Sequence, residues 1–303
     1  MPTKTLKDVT VADAYLAVLA DRGVDYLFAN AGTDFAPLVE ALAKAQALGT
    51  PHPHPVTCPH ENTAQHMAIG YYLATGRPQL TMMHVNVGTA NAMNGLLNAS
   101  RGQTPMLFTA GRTPTNEDKL KGHRSLDIHW TQEMFDQGGM TREAVKWDYE
   151  LRNAEQVETV IDRALSVMMS DPKGPAYLSL PREVLAIEMD EFKFESPSRI
   201  LAASPSLPNA DALDEAASIL AKAKNPVIIT NWGGRNPNVM PALVDLAEKY
   251  AIPVVEYRNR FVAMPRHHPM FAGGNPNPYV EAADAILVMD CATPWLPSQV
   301  SPS

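Results

Sequence analysis

Side chains able to do chemistry gather in a few short stretches of the sequence. The densest is Cys58-Pro-His60-Glu61-Asn-Thr-Ala-Gln-His66, with His52 and His54 just ahead of it. Histidines, a thiol and a carboxylate can hold a metal. The spacing argues otherwise, because HENTAQH is not HExxH and His60 and His66 stand more than one helical turn apart. A plainer reading is a set of polar residues around a helix start. A third reading concerns Glu61 itself. A carboxyl group buried at a helix start has its pKa raised by desolvation, while the helix N-terminus opposes this by favouring the anion. A raised value would let Glu61 share a proton with a heterocyclic nitrogen near neutral pH.

The second stretch is MHVNVGTAN. His84 sits where a strand, QLTMMH, runs into a loop, and open α/β sheets place ligands at that end of a parallel strand. A satisfied structural histidine is the alternative. Asn86, Gly88, Thr89 and Asn91 read as a glycine-containing turn into a helix, able to offer backbone N–H groups to a ligand. Thr33, in the turn AGTD, offers a hydroxyl, although an N-cap role explains it equally well.

These stretches have to be positioned by regular elements. Val11 to Arg22 reads as a helix closed by Gly23, Asp25 to Asn30 as a buried strand, and Ala31 to Asp34 as a turn opening a helix with Phe35, Leu38, Val39 and Leu42 on one stripe. His54 to Cys58 is a short strand. Glu61 to Thr75 is a helix with Ala64, Met67, Ala68 and Tyr71 inward, stopped by Gly76-Arg77-Pro78. Strand Gln79 to His84, helix Asn91 to Arg101, strand Pro105 to Gly111, helix Ala154 to Ser170 and strand Ala176 to Leu180 follow. Residues 188–209 carry Pro and Ser punctuation and read as a linker. Beyond them come helix Ala210 to Lys222, strand Pro226 to Thr230, helix Pro241 to Tyr250, and strands Pro253 to Tyr257 and Ala285 to Asp290.

Strands separated by helices imply parallel sheets, since parallel neighbours need long crossovers. The expected fold is α/β, with two doubly wound, mostly parallel sheets flanked by helices. The expected domains are 1–187 and 210–303, joined by 188–209. The second is read as incomplete, because its last apolar strand would be left as an edge.

Composition narrows the function classes. Apolar residues are 45% and charged residues 19% of 303, the balance of a globular protein. A formal charge of −8, without clustered Lys or Arg, argues against nucleic acid or an anionic membrane as partner. Two distant cysteines, Cys58 and Cys291, argue against a disulfide framework and fit a reducing cytosol. No signal-peptide pattern and no run of about 18 apolar residues is seen, so a cytoplasmic location is expected.

Taken in order, LFANAGTD, HENTAQHMAIGYYLATGRP, HVNVGTANAMNGLLNASRGQTPMLFTAG and GPAYLSLPREV resemble the pyrimidine-binding domain of thiamine-diphosphate enzymes such as acetolactate synthase and benzoylformate decarboxylase. The likeness runs over roughly residues 9–186, and residues 210–303 are similar to that family's central, Rossmann-like domain.

The resemblance implies that Glu61 lies against N1′ of the cofactor's aminopyrimidine and promotes loss of the thiazolium C2 proton, so that a 2-oxo acid is attacked at its carbonyl carbon. His84 falls where benzoylformate decarboxylase has a histidine facing its intermediate, which points to a decarboxylase or lyase. Thr33 matches that enzyme's substrate-facing serine. Gly88, Thr89 and Asn91 lie in the matching cofactor-side stretch. HWTQEMFDQGG is laid out like an acetolactate synthase segment, making Gln132 a substrate-site candidate and leaving a carboligase open. A non-catalytic or truncated subunit is a further alternative.

The family also implies Mg2+, held through a Gly-Asp-Gly and a later Asn. That pair does not occur in these residues, so no metal ligand is assigned and the 303-residue chain by itself is expected to be inactive. Nothing assigns FAD. Sites shared between subunits imply a homo-oligomer, a dimer or tetramer.

Overall fold

The computed structural model describes residues 2–302, and the chain divides into two compact units between Pro205 and Ser206. In the first unit the elements are β1 (Thr3–Thr10), α1 (Val11–Asp21), β2 (Tyr26–Ala29), α2 (Ala36–Leu48), β3 (His54–Thr57), α3 (Glu61–Thr75), β4 (Leu80–Met83), α4 (Val85–Arg101), β5 (Leu107–Arg112), α5 (Ile128–Thr131), β6 (Asp148–Glu150), α6 (Val157–Met169), β7 (Ala176–Pro181), α7 (Arg182–Leu185) and β8 (Glu188–Glu195).

Six strands form a fully parallel sheet in the order β3-β2-β4-β5-β7-β6. Alternation along each strand sorts its side chains into two layers. Leu27, Ala29, Leu80, Met82, Leu107, Leu178 and Leu180 pack with α1, α2 and α6. Phe28, Met83, Phe108, Ala110 and Tyr177 face α3 and α4. The layers are held by local signals that the sequence carries. Thr10 and Asp13 form a reciprocal cap at the start of α1, and Gly49 and Gly76 end α2 and α3 in left-handed conformations, with φ of 65° and 73°.

The stripe on α3 is rotated from the expected one. Ala64, Gln65, Ala68, Ile69 and Tyr72 are buried, whereas Met67 is 40% exposed. Gly95 of α4 explains the rotation, because a Cβ there would lie 2.4 Å from Gln65 Cβ, so the bare backbone lets a polar side chain into the helix contact.

Three strands lie outside the sequence reading: β1, the short β6 at the sheet edge, and β8. Within the stretch expected to be irregular, β8 pairs antiparallel with β1, from Thr3 opposite Glu195 to Thr10 opposite Glu188. Most of their side chains are exposed, and the alternation that does occur is short, over residues 191–195, where Phe192 and Phe194 are buried against the layer containing α1 and α6.

The second unit comprises α8 (Ala210–Lys222), β9 (Pro226–Thr230), α9 (Val239–Tyr250), β10 (Val254–Glu256), α10 (Asn277–Ala282) and β11 (Ala285–Met289). Its three strands run parallel in the order β10-β9-β11, with β11 at an edge. The architecture is therefore α/β with parallel sheets flanked by helices, as the element pattern implies. No helix among the described residues is long and apolar enough to cross a membrane.

Candidate active site

The order β3-β2-β4 contains a reversal. From β2 the chain moves outward to β3, then crosses back over β2 to β4. The loops leaving β2 and β4 therefore diverge, and such a switch point opens a crevice at the carboxyl ends of the strands. Asp34 follows β2 and His84 follows β4, and they meet in this crevice. His84 Nδ1 lies 2.6 Å from Asp34 Oδ1.

The pair is built into the backbone around it. Asp34 is 3% exposed, and its other oxygen accepts a hydrogen bond of 3.2 Å from the Val85 N–H, the first of α4. A carboxylate thus closes the N-terminus of a long helix, where the dipole favours a negative charge. Val85 has φ of +37°, unusual for a β-branched residue, and this bend turns the end of β4 sharply into α4 behind the His84 ring.

Two glycines make room for the pair. A Cβ on Gly32 would lie 2.1 Å from His84 Nδ1, and one on Gly111 would lie 1.8 Å from Asp34 Oδ2.

On its far side, His84 Nε2 lies 3.1 Å from Gln132 Nε2. With Nδ1–H donated to Asp34, a neutral imidazole offers Nε2 as the acceptor for the Gln132 amide. The hydrogen bond to Asp34 is the largest influence raising the His84 pKa above its ordinary 6.5, partial burial opposes it, and the charges of Asp34 and Glu61 raise it further.

Glu61 opens α3 on the same rim. It is half-buried rather than enclosed, since the start of α3 stands at the crevice mouth; the buried carboxyl expected from the sequence is not what this chain forms. Asn91 donates from Nδ2 to Glu61 Oε2, so this asparagine links α4 to the acid. Among the described residues no ion pair neutralises Glu61, whose carboxylate contacts Asn91.

Gly88 and Thr89 need a correction of context. The expected turn at residues 85–90 is the first part of α4, because Asp34 caps it from another loop and Gly88 lets it sit tightly on β4, a Cβ there lying 2.9 Å from Met83 Cβ. The Thr89 side chain is fully buried, bonded to the Val85 carbonyl at 2.7 Å and 3.1 Å from the Tyr177 hydroxyl. Thr33 is exposed beside Asp34, and its carbonyl accepts from Arg182 at 3.5 Å.

Asp34 is the residue that sequence reasoning missed. Its only signal was an acid one position beyond Thr33 in a turn at a strand end. The histidines of the dense stretch are spent locally. His60 caps α3 by accepting from the Asn62 N–H, and His66 contacts the Asn62 carbonyl and Asn98. Among the described residues, no group of three or more His, Cys, Asp or Glu is placed to hold a metal.

A parallel α/β sheet carrying an acid and an oriented imidazole at its switch point defines a ligand-binding enzyme domain. The chain belongs to the thiamine pyrophosphate enzyme family: the family's N-terminal TPP binding domain matches residues 9–140, and its central domain matches residues 213–295.

Among relatives, sulfoacetaldehyde acetyltransferase of Rhodobacter capsulatus is 29% identical, the match covering 88% of this chain and 42% of that protein. Benzoylformate decarboxylase of Pseudomonas aeruginosa is 27% identical over 88% of this chain and 48% of that protein. A solved thiamine diphosphate-dependent 4-hydroxybenzoylformate decarboxylase from Rhodococcus jostii superposes with a TM-score of 0.77 at 25% identity, covering 97% of this chain and 55% of that one. The chain thus spans about half the length of these relatives.

Proposed function

We propose that this chain forms the aminopyrimidine-activating half of a thiamine-diphosphate-dependent decarboxylase or lyase that acts on a 2-oxo acid. Bound thiamine diphosphate supplies a carbon nucleophile and an electron sink for the carboxyl carbon's bond. Glu61 holds a proton between its carboxyl group and a ring nitrogen of the aminopyrimidine, with Asn91 fixing the orientation of the acid. Gly88 and Thr89 set the packing of α4, on which Asn91 is carried. The open side of Glu61 is completed by a neighbouring subunit of a homo-oligomer, which also supplies the Mg2+ and diphosphate contacts.

His84 takes a proton from, or delivers one to, the reacting substrate through Nε2, while Asp34 keeps the other nitrogen protonated. Thr33 and Gln132 line the substrate side. The observation that carries this reading is the oriented imidazole of His84, in electrostatic reach of Glu61 at one strand-end crevice. A decarboxylase needs such an acid–base group close to its substrate.

A carboligase of the acetolactate synthase kind is the second reading, favoured by Gln132 lying against His84 and by the acetyltransferase and acetolactate synthase relatives. Assaying the holoenzyme with aromatic and aliphatic 2-oxo acids separates the two. Accumulation of aldehyde, lost by about a hundredfold or more in His84→Ala, supports the decarboxylase. Accumulation of an acyloin with little dependence on His84 supports the carboligase.

A further inference from the structure

His129, in α5, is 3% exposed, and its two ring nitrogens have different fates. Nδ1 accepts from two backbone donors, Ser125 N–H at 3.1 Å and Leu126 N–H at 3.4 Å. A nitrogen that accepts cannot carry the proton, so in the neutral ring the hydrogen is on Nε2. That Nε2 is buried and has no partner among the described residues. An orphaned donor this deep costs free energy unless something fills its place.

The ring lines a cavity of about 10 Å³ that also touches Thr33, Asp34, Gln132, Arg112 and Arg182. This is about the space of a single water or one oxygen atom. Arg182 and Arg112 face Asp34 in this lining, and Arg112 is also paired with Glu150 at 3.1 Å, so Arg182 is the cation nearest to hand for an added anion. Burial, followed by the cations Arg182 and Arg124, lowers the pKa of His129, with Asp127 opposing and His84 adding to the lowering. The imidazole therefore stays neutral and remains a donor at Nε2.

We infer that His129 is a specificity determinant, whose Nε2–H donates to one carboxylate oxygen of the 2-oxo acid in this cavity. The inference rests on the proposed function and deepens it by assigning the acid end of the substrate. Its position beside Gln132, itself 3.1 Å from His84, brings that end close to His84 in a cavity that Asp34 also lines.

Two substitutions separate substrate recognition from structural support. His129→Asn retains an acceptor where Nδ1 meets the Ser125 and Leu126 amides but removes the outer donor. His129→Gln places an amide N–H near Nε2 but loses the inner acceptor. In the holoenzyme, with pyruvate and benzoylformate as probes, His129→Asn is expected to raise KM about tenfold to a hundredfold, more than it lowers kcat. His129→Gln recovers most of that loss. The inhibition constant of methyl benzoylformate, which lacks the carboxylate, changes less than the KM for the acid.

The reverse order, with Asn near wild type and Gln impaired, overturns the inference, as does an equal loss for acid and ester. Should neither acid be turned over, the functional reading fails separately, and ¹H–¹⁵N spectra of the histidine rings still decide the assignment. The expected spectrum has His129 in the Nε2–H form, with a resonance that shifts on saturation with benzoylformate. An Nδ1–H form, or no shift, overturns it.

Discussion

The Nδ1 nitrogen of His84 lies 2.6 Å from Oδ1 of Asp34, although 50 residues separate them in the chain. The contact exists because β2 and β4 are hydrogen-bonded neighbours whose connections leave in opposite directions. The same carboxylate caps α4, so one buried acid fixes both the ring and the helix that follows it.

Replacing Asp34 with Asn should lower the His84 pKa, because the hydrogen bond and charge that raise it are weakened while burial stays. The folded-state value is raised above the ordinary 6.5. The pair's contribution to stability is therefore fully present below about pH 6.5 and lost as pH rises through the folded value. Denaturant unfolding as a function of pH should show this dependence in the wild type and not in Asp34→Asn. The variant should be less stable by about 1–3 kcal/mol at pH 6. An imidazole titration identical in the two proteins would contradict the pairing.

Gly32→Ala and Gly111→Ala should each dislodge the pair without unfolding the sheet. The added methyls would occupy positions 2.1 Å from His84 Nδ1 and 1.8 Å from Asp34 Oδ2. Overpacking of this kind costs about 1–3 kcal/mol of stability. Activity should fall by about a hundredfold, since small misplacements of an acid–base group are costly. The check is kcat measured beside a full far-ultraviolet circular dichroism spectrum.

Thr89→Val should behave as a packing change. The hydroxyl is engaged with the Val85 carbonyl and the Tyr177 hydroxyl, which also accepts from Gln137 Nε2 at 2.8 Å. Loss of one buried hydrogen bond should cost about 1 kcal/mol in urea unfolding. A drop in activity far larger than the loss of folded protein would instead give Thr89 a direct part in the site.

Much of the fold was legible because buried helices and strands carry their period openly. In α6, Val157, Val160, Ile161, Ala164 and Met168 recur at helical spacing and are buried, with Leu165 beside them partly buried. Where elements are largely exposed, the signal is brief: β8 alternates only over residues 191–195 and β1 buries only Val9, so their mutual backbone pairing is what defines them. Glu61 and His84 stood out as an acid at a helix start and an imidazole at a strand end. Asp34 did not, because its partner lies on a strand that becomes its neighbour only through a crossover. The start of α4 was hidden for a similar reason: Asn and Gly near residue 88 resemble a turn, and the carboxylate that caps the helix comes from another loop.

The most direct test of the account is hydrogen–deuterium exchange at C2 of thiamine diphosphate bound to the holoenzyme, followed by acid quench and proton NMR, in wild type and Glu61→Gln. Glutamine keeps a side chain that Asn91 can meet but removes the acid. The exchange rate should fall by about two to four powers of ten. An exchange rate in Glu61→Gln equal to that of the wild type, with the cofactor still bound, would contradict the role of Glu61 and with it the functional reading of this chain.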